Sequence, residues 1–148
     1  MATTIFTIAV IAFVVYLLLP SKRIVSNGKL IDLPNKFNVL LNSTPSVSSL
    51  IIAIKGKNDF IQFSKGEKYV EMDYPVITES HIENEEKYRA ICSKLGLILR
   101  ETTGSDGSLF LDADVTPDVE LLADTSKEIL CAVFGAKDDT KLKYSFIP

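Results

Sequence analysis

Residues 1–19 carry no charged side chain, and Pro20 closes the run just before Lys22 and Arg23. A helix needs about 20 mostly apolar residues to cross the hydrocarbon core of a bilayer. The stretch is therefore long enough to take itself out of any water-soluble fold. Thr3, Thr4 and Thr7 can return their hydroxyls to backbone carbonyls, and Tyr16 lies near one end, where an amphipathic ring suits the interface. A cleaved leader would carry basic residues before the apolar run and small residues before the cut. Here no Lys or Arg precedes the run, and Leu17-Leu18-Leu19-Pro20 is not a small-x-small site. Lys22, Arg23, Lys29 and Lys36 all follow it, and an excess of basic residues marks the cytoplasmic side. The expectation is a single-pass transmembrane anchor over residues 1–20 in the inner or cell membrane, with the soluble domain cytoplasmic.

With the anchor set aside, about 125 residues remain, the size of one ordinary domain. All 16 basic and 19 acidic side chains fall in this part, and a net charge of −3 offers no basic face for nucleic acid. The one basic cluster is the flank beside the apolar run, which suits anionic headgroups. Residues 21–48 read as a juxtamembrane linker, with a turn signal at Asn27-Gly28 and then Leu33-Pro34. Phe37, Leu40 and Leu41 fall at helical spacing, which leaves room for a short helix over residues 35–42.

Residues 49–148 read as the soluble domain. Residues 50–54 are a continuous apolar run, the pattern of a strand buried on both faces or of an element packed under a helix. Residues 60–64 and 69–74 are strands joined by the loop Lys65-Gly66-Glu67-Lys68. In the second, Val70, Met72 and Tyr74 face one way while Glu71 and Asp73 face the other. Ser80-His81-Ile82-Glu83 matches a capping box. Behind it Tyr88, Ile91, Cys92 and Leu95 make one helical stripe, ended by Gly96. Residues 97–102 and 108–113 form another strand pair. Thr116-Pro117 opens a last helix as N-cap and first residue, and Gly135 ends it. Leu142, Tyr144 and Phe146 then alternate with polar residues in a weak strand pattern. The expected fold is α+β: the N-terminal transmembrane helix, then a mainly antiparallel five-stranded sheet packed with helices in the order α-β-β-β-α-β-β-α.

Phe60-Ile61-Gln62-Phe63, Tyr69-Val70-Glu71-Met72, Lys94-Leu95-Gly96-Leu97, Gly107-Ser108-Leu109-Phe110-Leu111 and Val133-Phe134-Gly135 carry a resemblance. Over residues 50–135 the chain resembles the YbjN-like, type III secretion chaperone-like (TY-Chap) superfamily. The resemblance implies a compact α+β domain of chaperone type, often dimeric, that binds protein segments without enzymatic activity.

The residues themselves offer little chemistry. Asp112, Asp114 and Asp118 form the densest carboxylate group, but the spacing lacks the Gly and the final Glu of an EF-hand loop. A helix N-terminus accounts for Asp114 and Asp118. Cys92 and Cys131 form no paired motif and read as two structural thiols. His81 is the sole histidine and reads as a solvated helix-entry residue, so no Ser-His-acid set assembles around it. No catalytic residue, metal ligand or cofactor site is expected. Tyr69 and Phe110, on the strand face opposite the inferred core, are the candidate apolar anchors of an interface. Tyr144 and Phe146 of the tail are a second candidate, since a partner could pair there by strand addition. The expected function is a membrane-anchored, non-enzymatic protein-binding module, chaperone-like or adaptor, with another protein or a second copy as partner. The alternatives are an accessory enzyme with an unrecognised carboxylate or metal site, and a small structural subunit of a membrane assembly.

Overall fold

Alternation of apolar and polar residues in turn-bounded runs builds one large sheet. The computed structural model describes residues 23–44 and 46–148. Among these residues seven strands are formed: β1 (Ile24–Gly28), β2 (Ser49–Ile54), β3 (Phe60–Lys65), β4 (Val70–Val76), β5 (Arg100–Thr103), β6 (Leu109–Val115) and β7 (Leu142–Ile147). They lie in the order β1-β7-β2-β3-β4-β6-β5, every neighbour antiparallel. Four helices accompany them: α1 (Leu33–Asn42), α2 (Glu79–Glu83), α3 (Glu85–Lys94) and α4 (Val119–Phe134).

The α+β class stands, but the expected five-stranded sheet is corrected to seven. The two added strands are β1, from the stretch read as linker, and β7, from the tail. Asn27-Gly28 looks like a turn, yet it extends because β7 offers an edge, with Asn27 opposite Lys143 and Gly28 opposite Leu142. Pairing with a distant strand here overrides local preference. The rest of that linker, Leu30 through α1, contributes Leu30, Leu33, Phe37 and Leu40 to the core. The anchor expected over residues 1–20 lies outside the described residues. Among the described residues no helix is long and apolar enough to cross a membrane.

One face of the sheet holds the core. Leu50, Ile52, Ile61, Phe63, Met72, Tyr74, Leu111, Leu142 and Tyr144 point into a single cluster with Phe37 of α1, Tyr88 and Cys92 of α3, and Leu122 and Ile129 of α4. Burying such side chains is the main favourable contribution to folding. The alternate residues, among them Ile51, Gln62, Asp73, Phe110 and Asp112, stay out of that cluster and make the opposite face.

The helix ends differ from the expected ones by a residue or two. Thr78, not Ser80, caps α2: the Thr78 hydroxyl accepts from the His81 N–H at 3.1 Å. Asn84 then splits the single helix expected there, its amide donating to the Ser80 carbonyl at 2.9 Å. Asp118, not Thr116, caps α4, accepting from the Leu121 N–H at 2.9 Å. Gly135 ends that helix at φ 67°, a left-handed conformation that favours glycine.

Candidate functional site

The four residues singled out from the sequence do not converge. Tyr69 sits in the loop before β4 and is half exposed. Phe110 lies on β6, on the face away from the helices, but is only 6% exposed between Pro75 of β4 and Thr102 of β5. Tyr144 and Phe146 are core residues on the helix face, and the Tyr144 hydroxyl donates to the Lys29 carbonyl at 2.6 Å. The tail itself offers no free edge, because β7 is paired on both sides, with β1 and with β2. Strand addition there is therefore corrected: among the described residues the edges of this sheet are β1 and β5.

Those edges differ in chemistry. On β5 Arg100 donates to both oxygens of Asp114, at 2.9 and 3.0 Å, and to Glu71 at 3.2 Å. Next to it Glu101 accepts from Arg89 at 2.6 Å, and Arg89 also pairs with Glu85 at 2.9 Å. On β1 the exposed apolar side chains are Ile24, at 61%, and Val25, at 49%, and Asn27 is exposed beside them. The strand is held from behind: Lys36 of α1 donates to the Ser26 hydroxyl at 2.9 Å and its ammonium lies 5.2 Å from the centre of the Tyr144 ring.

The face away from the helices carries two further features. Near β2, β3 and β7 is a cavity of about 360 Å³, lined by Ile51, Ala53, Phe60 and Ile77 with Lys57 and Lys143 at its margin. Beyond β3 the face turns acidic. Gln62 of β3, Asp73 of β4 and Asp112 of β6 stand opposite one another in register. Thr102 of β5 donates to Asp112 Oδ2 at 3.0 Å. Burial first, then the neighbouring carboxyl of Asp112, push Asp73 up to about 9. Burial and the same neighbour also raise Glu71, against the pull of Arg100. Two carboxyls this close resist ionising together.

Sequence reasoning grouped Asp112 with Asp114 and Asp118, its neighbours along the chain. The strand register pairs it instead with Asp73, while Asp118 is a helix cap. The one signal available was the outward placement of Glu71 and Asp73 on β4.

His81 is buried, which corrects its reading as a solvated residue. Its ring meets Phe60, Tyr74 and Phe134 edge-on, with centres 4.8, 5.0 and 5.9 Å away. Burial holds its pKa below the usual value, so the ring is neutral at pH 7. A tautomer with hydrogen on Nε2 fits both neighbours: Nε2 donates to the Phe60 carbonyl at 2.9 Å, and Nδ1 accepts from the Thr78 hydroxyl at 2.8 Å. Cys92 and Cys131 are both free, and burial pushes the Cys92 thiol up to about 11, which keeps it protonated and unreactive. Among the described residues no group of three or more His, Cys, Asp or Glu could hold a metal ion.

Comparison with protein-family models, with curated proteins and with solved structures finds no match.

Proposed function

We propose that the chain is a non-enzymatic protein-binding module, chaperone-like or adaptor in kind, that works at a membrane. Residues 1–20 supply the attachment, the folded part faces the cytoplasm, and β1 is the strand to which a partner's extended segment adds. One observation carries this reading: β1 is an edge strand with no charged residue, and its exposed side chains are apolar Ile24 and Val25 with uncharged Asn27. An unprotected edge presents a row of backbone donors and acceptors, which proteins ordinarily guard with charge. Strand addition takes its affinity from that row and its selectivity from alternate side chains. The position of β1, shortly after the uncharged run, would put the bound segment close to the bilayer. The resemblance to chaperone-like domains agrees with this role.

A photocrosslinking residue at Val25 should capture a protein partner in intact membranes, and one at Glu101 on the opposite edge should not. Ile24→Lys with Val25→Lys should abolish capture from a second probe at Asn27, while the thermal midpoint moves little, since both side chains are exposed. Capture at Glu101 alone would defeat the reading.

A second reading, an accessory enzyme, is favoured by the Asp73–Asp112 pair, since carboxyls with displaced pKa values gather at active sites. Neither residue lines the cavity on the same face. A chemical activity lost in Asp112→Asn but kept in the β1 double variant would favour the enzyme.

A further inference from the structure

The central row of the face away from the helices is short of hydrogen. Gln62 Oε1, Asp73 Oδ1 and Asp112 Oδ1 are all buried without a hydrogen-bond partner. Gln62 and Asp112 are 9% and 6% exposed, and all three residues lie in one register across β3, β4 and β6. Every unpartnered atom in the row is an acceptor. An unsatisfied buried acceptor costs about 1–3 kcal/mol, more when it is charged. Two facing carboxylates would add repulsion to that cost.

We propose that Asp73 and Asp112 share one proton, and that this proton locks β4 to β6 as a pH-sensitive latch on the face away from the helices. With the proton on Asp73, its O–H donates to Asp112 Oδ1, and both orphaned carboxyl oxygens are satisfied at once. Thr102 sets the division of roles: its hydroxyl already donates to Asp112 Oδ2, which leaves Asp73 as the donor within the pair. The groups facing the pair are Glu71 from β4, Asp114 from β6 and Arg100 from β5. From β3 comes uncharged Gln62, and behind the sheet α3 brings Tyr88 within electrostatic reach. Arg100 is already committed to Asp114 and Glu71. Loss of the shared proton therefore adds a negative charge with no new cation to meet it.

The direction of the pH effect follows. Asp73 has a higher pKa folded than unfolded, so the stability held in the proton is fully present below the unfolded value, about 4. It is lost as pH rises toward the folded value, about 9. Asp73→Asn replaces the O–H donor by an amide that does not titrate.

The test uses the full chain. An infrared band from a neutral carboxyl should be present at about pH 7 and gone by about pH 10. It should vanish in Asp73→Asn. It should vanish also in Asp112→Asn, where the new amide donates to an ionised Asp73. The melting temperature of Asp73→Asn minus that of the wild type should rise from about pH 5 to about pH 9 and then level off. Absence of the band at neutral pH overturns the proposal whether or not either variant folds. Persistence of the band in Asp112→Asn also overturns it, since burial alone would then keep Asp73 neutral. Magnesium or calcium raising the wild-type midpoint at pH 7, but not that of Asp73→Asn, would put a cation in place of the proton.

Discussion

At one edge of the sheet β5 runs Arg100-Glu101-Thr102-Thr103, and its two charged side chains are tied to Asp114, Glu71 and Arg89. At the other, β1 runs Ile24-Val25-Ser26-Asn27-Gly28 and turns Ile24 and Val25 to solvent. Among the described residues both strands pair with a single neighbour, so their backbones offer a partner the same kind of ladder. What differs is the guard. Ion pairs between exposed side chains add little stability, typically below about 1 kcal/mol. Their value on β5 is that a strand approaching that edge meets fixed charge. The comparison teaches that an edge can be closed by side chains alone, and that the five residues of β1 contribute no charge to such a closure.

The largest effect is expected in the core, where α1 packs against α4 and β2. Phe37 of α1 is fully buried and meets Phe63 edge-on, with ring centres 4.9 Å apart. Phe37→Ala should lower unfolding stability by about 3–5 kcal/mol in denaturant titration. If the two edges are separately supported, amide exchange should quicken in β1 and β7 before β5 and β6. Uniform loss of protection would mean that the sheet opens as one unit and that the edges differ only at their surface.

A smaller effect is expected at the tie behind β1. The Tyr144 hydroxyl donates to the Lys29 carbonyl at 2.6 Å, joining β7 to the connection between β1 and α1. Tyr144→Phe removes that bond and keeps the ring, so it should cost about 1 kcal/mol. Exchange should quicken at residues 24–28 while β5 keeps its rate. An unchanged β1 would show that the backbone pairing with β7 suffices to hold the edge.

How much of this was legible follows from how local each signal is. Val70, Met72 and Tyr74 alternate with Glu71 and Asp73 within one short run, and β4 carries that alternation into the core. Gly135 marks the end of α4 from a single residue. β1 was hidden because its last two residues, Asn27 and Gly28, favour turns and become strand only against β7, at the far end of the chain. His81 was misplaced because its burial comes from Phe60, Tyr74 and Phe134, which lie on three separate elements. The Asp73–Asp112 pair exists only through the β4–β6 register, with α2, α3 and β5 lying between the two residues in sequence. Side-chain patterns report which face a residue takes; they carry no information about which strand lies alongside.

The smallest change in stability should accompany the sharpest test of the edge comparison. Arg100→Val with Glu101→Val would give β5 two exposed apolar side chains, as on β1. The cost should be at most about 1 kcal/mol, because the pairs removed are exposed: the side chains of Arg100 and Glu101 are 45% and 58% accessible. Valine also suits a strand better than arginine or glutamate, which offsets part of that loss. The effect should appear as association: faster sedimentation at raised concentration, reversed when Val25→Lys is added only if the new contact joins β5 of one copy to β1 of another. Persistence of association in that triple variant would indicate β5-to-β5 pairing. A double variant that stays as dispersed as the wild type would show that charge is not what closes the β5 edge, and that β1 is not open for want of it.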